Sequence, residues 1–274
     1  MDNLVFLKLG GSLITDKQQE MTAREEIIHR AAQEVREALR QGEGLRLLLG
    51  HGSGSFGHFV AQRYGTQKGA SDERGWEGLT RTGAAAAKLN RLVTDIFLDE
   101  GLPVVSLQPS ASARCRAGRL LHLETWPIEE ALSHGLVPLV YGDVSFDEEW
   151  GCCIISTEQI FIHLARHLKP RRIILAGEVA GVFTGDPHQD SGSSLVERIT
   201  PRNFDQLRGM MAGAQGFDVT GGMFAKVEAM YALVVEQPWL EVYFVSGHQP
   251  GLIRQALLGE RPLKGTLLYS DQAL

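Results

Sequence analysis

Three glycine-rich segments with lysines close to them are the part of this sequence best suited to chemistry. They span residues 8–12, 51–58 and 218–223, and each follows a predicted strand. Lys17 follows the first segment and Lys226 the third. Glycine lets backbone N–H groups approach an anion without a Cβ in the way, and a helix that starts nearby adds the positive end of its dipole. Because lysine supplies a mobile point charge, the set predicts phosphate binding.

Two other nucleotide-binding motifs compete with this interpretation. The P-loop pattern G-x-x-x-x-G-K-[ST] does not occur in the sequence. Residues 52–57 do match G-x-G-x-x-G, which is typical of dinucleotide-binding enzymes. That fingerprint requires a second strand ending in an acid about 20 residues later. Asp72 and Glu73 lie at that distance, but residues 66–75 are polar and do not resemble a strand, so an NAD enzyme is a minor alternative.

Alternating apolar runs predict the elements that would position these turns. The alternation of strands and helices predicts an α/β fold with an open, mainly parallel sheet covered by helices on both faces. Thr22 to Glu25 matches a capping box at a helix start, and residues 147–151 are predicted as a hairpin turn. Lys169-Pro170 marks the predicted junction of two lobes. Strands are predicted at residues 4–9, 45–49, 104–107, 136–144, 152–155, 171–176, 240–245 and 266–269, and helices begin near residues 22, 76, 125, 160, 200, 223 and 252.

Composition limits the class of protein. The chain has 274 residues, of which 43% are hydrophobic, and a net charge of −6, which argues against a dedicated nucleic-acid binder. No apolar run approaches the roughly 18 residues that a membrane span needs, and the amino terminus does not resemble a signal peptide. Cys115, Cys152 and Cys153 form neither a disulfide framework nor a metal motif. We expect them to be small core residues of a cytoplasmic protein.

Three motifs carry a resemblance to a known family. K-L-G-G-S at 8–12, G-V-F-T-G-D-P at 181–187, and T-G-G-M at 220–223 followed by Lys226 resemble, in the same order, motifs of the amino acid kinase superfamily. The resemblance covers nearly the whole chain. It implies an αβα fold with an acceptor-binding lobe at 1–168 and a nucleotide-binding lobe at 169–274. It also implies ATP as phosphoryl donor, Mg²⁺ carried by the nucleotide, and a homodimer.

Further matches narrow the resemblance to isopentenyl phosphate kinases. These are S-L-I-T-D-K at 12–17, H-G-S-G-S-F-G-H at 51–58, G-D at 142–143 and I-I-S at 154–156. The implied reaction transfers the γ-phosphoryl group of ATP to isopentenyl phosphate and gives isopentenyl diphosphate for isoprenoid biosynthesis. Kinases of the fosfomycin type share the F-G-H element and are the nearest alternative. A non-catalytic relative that binds nucleotide is a second alternative.

The resemblance also assigns roles to single residues. Lys8 and Lys226 resemble residues that hold the ATP phosphates, and Lys17 resembles the lysine at the transferring phosphoryl group. His58 resembles the residue that donates to the acceptor's own phosphate. No general base is needed, because a monophosphate acceptor is already ionised. The remaining nucleotide-side residues are Gly10, Gly11, Ser12, Gly54, Glu178, Gly221 and Gly222, and the remaining acceptor-side residues are Gly52, Ser53, Gly57 and Thr157.

Two segments depart from the pattern of the relatives. Where relatives often have S-G-D-D, this chain has S-T-E-Q at 156–159, and Glu158 could serve as the acidic partner of the lysines. Where relatives often have T-D-V-D-G-V, this chain has G-E-V-A-G-V at 177–182, which affects the expected nucleotide contacts. For the prenyl tail, the helix face at 76–87 and the strand at 136–140 are the candidate pocket walls.

Overall fold

A computed structural model describes residues 3–185, 192–213, 222–261 and 263–271, and its centre is an eight-stranded sheet. In chain order the strands of the molecule are β1 (Leu4–Leu9), β2 (Arg46–His51), β3 (Val104–Ser106), β4 (Arg114–Arg116), β5 (Arg119–His122), β6 (Val137–Tyr141), β7 (Asp143–Asp147), β8 (Gly151–Ile155), β9 (Arg172–Gly177), β10 (Arg198–Ile199), β11 (Glu241–Ser246) and β12 (Thr266–Leu268). The large sheet has the order β10-β12-β11-β9-β1-β2-β6-β3. All its neighbours are parallel except β11 and β12. The predicted open, mainly parallel sheet is therefore confirmed.

Helices cover both faces of this sheet. They are α1 (Gly11–Ile14), α2 (Glu25–Gln41), α3 (Gly54–Tyr64), α4 (Glu73–Asp99), α5 (Trp126–Ser133), α6 (Thr157–Leu168), α7 (Phe204–Gly213), α8 (Met223–Glu236) and α9 (Leu252–Leu258). Strand β1 shows how the two faces arise, because its side chains alternate. Leu4 and Phe6 join one buried cluster with residues of α6 and α8, and Val5 and Leu7 join a second cluster with residues of α2, α4 and α9.

A second, four-stranded sheet has the order β5-β4-β7-β8. The prediction of one continuous strand at 136–144 is wrong. The chain leaves the large sheet after Tyr141, and Asp143 begins β7 of the smaller sheet. The hairpin predicted at 147–151 does connect β7 to β8. Asp147 explains the turn, since its carboxylate accepts hydrogen bonds from the backbone N–H groups of Glu149 and Trp150.

The helices predicted near residues 76 and 160 begin slightly earlier, at Glu73 and Thr157. Two other predicted helix starts are wrong because the helix begins later. The capping box at Thr22 does not form: its hydroxyl donates to the carbonyl of Glu20 at 3.2 Å, and α2 begins only at Glu25. Near Thr200-Pro201 the chain makes a turn in which Asn203 Oδ1 accepts from Thr200 N, and α7 begins at Phe204. In both places a local side-chain bond holds a turn ahead of the helix.

The three cysteines are buried and unpaired, as the sequence predicts. No helix in the described part of the chain is long and apolar enough to cross a bilayer. Lys169, at the predicted junction of the lobes, ends α6 in the left-handed conformation. Strand β1 pairs directly with β9, so residues before and after this junction share one sheet.

Candidate functional site

The carboxyl ends of five parallel strands, β1, β2, β6, β9 and β11, meet at one edge of the large sheet and line a cleft of about 1160 Å³. A backbone hydrogen bond joins each of the turns that follow β1, β2 and β6 to the end of a neighbouring strand. Gly10 N donates to Ala176 O at 2.8 Å, Gly52 N to Leu9 O at 3.0 Å, and Gly142 N to His51 O at 3.0 Å. In open α/β sheets this edge is where ligands bind.

All the predicted site residues that the structure describes line this one cleft. They are Lys8, Gly10, Gly11, Ser12, Lys17, Gly52, Ser53, Gly54, Gly57, His58, Thr157, Glu178, Gly222 and Lys226. Gly221 lies outside the described residues, as do the Asp186-Pro187 part of the second motif and the residues 218–220 that precede Gly221. The structure therefore brings the predicted residues to one surface, although segments more than 200 residues apart contribute to it.

The first two glycine turns pack backbone against backbone. A Cβ added to Gly11 would lie 2.5 Å from the backbone N of Gly54, and one added to Gly52 would lie 2.8 Å from the N of Gly11. Thr15, which the sequence analysis did not single out, joins the two turns. Its hydroxyl donates to Gly11 O at 2.7 Å and accepts from Ser55 N at 2.9 Å. The starts of α1 and α3 are thus fixed beside each other, and each brings N–H groups to the cleft.

A buried ion pair lies below the turns. Lys8 Nζ is 2.6 Å from Glu158 Oε1, and both side chains are less than a tenth exposed. Lys226 Nζ is 3.9 Å from the same oxygen. Burial of the Glu158 carboxyl raises its pKa, but the charges of Lys8 and Lys226 and the hydrogen bond from Lys8 outweigh burial, so the pKa lies below its ordinary value. Glu158 therefore stands as the acidic partner of both lysines, as the sequence suggested.

A second charged group lies on the other side of the first turn. Glu178 accepts from Arg24 Nη1 at 2.6 Å, and Lys17 Nζ lies 3.6 Å from its other oxygen. His248 Nε2 lies 3.3 Å from the oxygen that Arg24 contacts. Arg24 and His248 were missed in the sequence, because no motif marks them and they come from α2 and from the segment after β11. The Lys17 side chain lines the cleft and is 62% exposed, and its contact with Glu178 is loose.

His58 lies in α3 and faces the cleft. Its ring is exposed, and none of the described residues forms a hydrogen bond with it. Thr157 differs, because its hydroxyl is buried and donates to His51 O at 2.7 Å. The His51 ring is buried and contacts Gly52 O and Asn90 Oδ1, and burial lowers its pKa. The second turn thus has a buried histidine that supports it and an exposed histidine that faces the cleft.

Beyond His58 the cleft continues toward α4. Thr82 and Ala86 line it, so the helix face predicted at 76–87 does contribute. The strand predicted as the other wall, residues 136–140, does not line the cleft; its place is taken by Gly142, Ile154 and Ile155. The reason is the change of sheet after Tyr141, which carries β7 and β8 over the cleft.

Among the described residues, no group of three or more His, Cys, Asp or Glu side chains is placed to hold a metal ion. The two carboxylates nearest the turns, Glu158 and Glu178, are already paired with cations. The buried Ser55 hydroxyl is different: it lies on a cleft-lining residue and has no hydrogen-bond partner among the described residues. Buried hydroxyl groups usually have a partner, so Ser55 is a further polar group that a ligand could satisfy.

The parallel sheet, the three-layer arrangement and the lysine-lined glycine turns are those of a phosphotransferase. The family model for the amino acid kinase family matches residues 3–243, and the chain belongs to this family. Among similar proteins, the isopentenyl phosphate kinase of Methanothermobacter thermautotrophicus is 36% identical over 96% of this chain and 98% of its own. That of Methanocaldococcus jannaschii is 31% identical over 94% and 96%. A solved structure of isopentenyl phosphate kinase superposes with a TM-score of 0.83 at 33% identity, covering 97% of this chain and 100% of the other.

Proposed function

We propose that this protein is an ATP-dependent kinase that phosphorylates isopentenyl phosphate to isopentenyl diphosphate. One observation carries the proposal: Lys8, Lys17, Lys226 and the exposed imidazole of His58 line a single cleft together with the glycine turns. Three relatives that are 31–36% identical over more than nine-tenths of this chain are named isopentenyl phosphate kinases.

The nucleotide side would hold the ATP phosphates through charge and backbone N–H groups. Lys8 and Lys226 would contact the phosphates, with Glu158 fixing both ammonium groups by the contacts described above. Gly11, Ser12 and Gly54 would supply backbone donors, whereas the N–H of Gly10 already donates to Ala176 O. Gly222 would act at the start of α8, and Gly221, which lies outside the described residues, stays a predicted nucleotide contact. The described residues offer no carboxylate cage, so Mg²⁺ would be bound mainly by the phosphates, where it supplies charge neutralisation.

Transfer itself requires little beyond positioning and charge. An oxygen of the acceptor phosphate attacks the γ-phosphorus, the bond from that phosphorus to the β–γ bridging oxygen breaks, and ADP leaves with the electron pair. Lys17 would stabilise the charge that spreads over the transferring group. No side chain has to remove a proton, because the acceptor oxygen is already ionised.

The acceptor side would recognise a phosphate first and an apolar tail second. His58 would donate a hydrogen bond to the acceptor's own phosphate, beside the backbone of Gly52, Ser53 and Gly57. Thr157 would act through its bond to His51 O, which holds the second turn in place. Ala86, Ile154 and Ile155 would contact the prenyl tail.

A phosphonate kinase of the fosfomycin type is the second candidate, because the tail end of the cleft is not wholly apolar. Thr82 and the buried Asp143 are among its lining residues. Burial raises the pKa of Asp143, and its carboxyl oxygens accept hydrogen bonds from the backbone N–H groups of Ser110 and Val144. A small polar acceptor would use these groups, whereas a prenyl tail would not.

Phosphorus NMR of the reaction products tests the proposal directly. With ATP, Mg²⁺ and isopentenyl phosphate, the wild-type protein should give ADP and the two coupled resonances of a new diphosphate monoester. ADP should not accumulate without the acceptor. Lys17→Met should bind ATP but form product at least ~100-fold more slowly, because it removes a contact made mainly in the transition state. ADP release without diphosphate formation would contradict the proposal.

A further inference from the structure

The two oxygens of Glu178 have different partners. Arg24 Nη1, at 2.6 Å, and His248 Nε2, at 3.3 Å, contact Oε1, whereas Lys17 Nζ lies 3.6 Å from Oε2. The close pair is therefore with Arg24, and the contact with Lys17 is looser. Lys17 is also more than twice as exposed as either member of the close pair, at 62% against 29% and 25%.

Arg24 is held on the cleft side of α2 by the first glycine turn. The same Nη1 that contacts Glu178 also donates to the carbonyl of Ser12 at 3.3 Å. Arg24 is the residue before the first turn of α2, but its side chain does not cap that helix. The guanidinium group of Arg24 therefore contacts Glu178 and the Ser12 carbonyl at the cleft, and it does not cap α2.

Glu178 places a negative charge where a nucleotide would enter. It lines the cleft beside Gly177 and Val179, opposite the turn that holds Ser12. Burial raises its pKa, but the hydrogen bonds from Arg24 and His248 and the charges of Lys17 and Arg24 together lower it below the ordinary value. The carboxylate is therefore ionised at neutral pH. An uncompensated anion here would repel the ATP phosphates and would compete with them for Lys17.

We propose that Arg24 is a positioning residue that neutralises Glu178 and so leaves Lys17 available to the transferring phosphoryl group. The inference rests on the proposed function for the role of Lys17. It gives Glu178 an indirect role in place of a direct contact with the nucleotide. The glutamate is paired at the edge of the cleft with Arg24, the residue that precedes α2.

The test is rescue in a double variant. Arg24→Met should lower kcat/KM for ATP by ~10-fold or more, because Glu178 then repels the nucleotide and pairs fully with Lys17. In the Glu178→Gln background the same Arg24→Met change should alter kcat/KM by less than ~2-fold, because there is no longer a charge to neutralise. A merely structural arginine would not be rescued by removing its partner's charge.

The chain offers a matched control in α2, the helix that Arg24 precedes. Arg36 Nη1 donates to the side chain of Glu100 at 3.2 Å and to its backbone carbonyl at 3.0 Å. The Arg36 side chain is about as exposed as that of Arg24. Arg36→Met should therefore match Arg24→Met in melting temperature but keep wild-type kinetics. This comparison separates loss of packing from loss of charge compensation.

ATP affinity, measured by calorimetry without any acceptor, keeps the test independent of the acceptor's identity. Arg24→Met should weaken ATP binding several-fold, and Glu178→Gln should remove that loss. If Arg24→Met binds and uses ATP like the wild type, or if its loss persists undiminished in the double variant, the inference is overturned. Failure of the wild-type protein to phosphorylate isopentenyl phosphate would instead overturn the proposed function. The calorimetric ATP affinities would still decide whether Arg24 neutralises Glu178.

Discussion

At the scale of single residues, the pair formed by Lys8 and Glu158 dominates the electrostatics of the site. The two charged groups meet at 2.6 Å with almost no access to water. A buried pair contributes little net stability, but removal of one partner leaves the other charge uncompensated in a poorly solvated place. The pair is therefore better understood as a fixed anchor for the Lys8 ammonium group than as a source of stability.

Glu158→Gln should destabilise the protein by about 3–5 kcal/mol at neutral pH, which thermal unfolding would measure. The pKa of Glu158 lies below its ordinary value of 4.5 in the folded protein. Its contribution should then be complete above that value and should be lost as the pH falls through the lowered pKa. The difference in melting temperature between wild type and variant should narrow in acid.

The exposed pair of Arg166 and Glu236, at 2.9 Å, gives the control for this measurement. Glu236→Gln should change stability by less than about 1 kcal/mol, since exposed pairs contribute little. Equal effects of the two substitutions would show that Glu158 is not held in a buried pair.

His58 gives the prediction for the acceptor side. A hydrogen bond from imidazole to an anionic phosphate contributes about 1.5–3 kcal/mol, so His58→Ala should lower kcat/KM for the acceptor by roughly 10- to 100-fold. ATP affinity and melting temperature should change little, because none of the described residues bonds to this ring. His58→Asn should retain more activity than His58→Ala. Steady-state titrations of ATP and acceptor would decide, and equal damage to both would indicate a structural histidine.

At the scale of elements, the contact between the starts of α1 and α3 determines the shape of the cleft. Gly54 has a φ of +50°, and a Cβ there would lie 2.2 Å from Thr15 Oγ1 and 2.7 Å from Gly11 O. Two requirements, a left-handed backbone and a close backbone contact, thus fall on one residue. Gly44 has a similar φ of +66° but open space around it.

Gly54→Ala should therefore separate the two turns, lower the melting temperature by several degrees and reduce turnover by at least ~100-fold. Gly44→Ala should show only the cost of the left-handed conformation, about 1 kcal/mol, with normal turnover. Differential scanning fluorimetry and the coupled ADP assay would compare the two. Similar activity losses in both variants would mean that strain, and not the contact between the turns, is what matters.

The elements that the sequence predicts well are those with a strong period or a fixed turn. Leu252–Leu258 and the hairpin that leads into β8 have such signals and were predicted at their observed places. The hairpin of β4 and β5 was missed because its strands are only three and four residues long and carry exposed arginines. The division of 136–144 into two strands depends on a change of sheet at Gly142, which no local pattern in an apolar run records.

The position of a residue in the cleft was predictable where the residue belongs to a contiguous motif, as with Lys8, Lys17 and His58. Arg24, Thr15 and His248 were missed because their roles depend on tertiary contacts. A threonine or arginine in a polar stretch is usually solvated, so its residue type alone gives no signal.

At the scale of the whole molecule, one sheet connects the two sides of the cleft. Strand β1, with Lys8 near its end, pairs with β2 on one side and with β9 on the other. The turn after β1 carries predicted nucleotide-side residues, and the turn after β2 carries most of the predicted acceptor-side residues. The turn after β9 carries Glu178. The division into an acceptor lobe at 1–168 and a nucleotide lobe at 169–274, the homodimer and the cytoplasmic location stay predictions.

The selectivity of the cleft for its acceptor tests the central claim most directly. The measurement is kcat/KM for isopentenyl phosphate, dimethylallyl phosphate, fosfomycin, UMP and aspartate under identical conditions with saturating ATP and Mg²⁺. We predict the highest value for isopentenyl phosphate, because His58 and the glycine turns favour a compact monophosphate and Ala86, Ile154 and Ile155 favour an apolar tail. A higher kcat/KM for fosfomycin, UMP or aspartate than for isopentenyl phosphate would contradict the account.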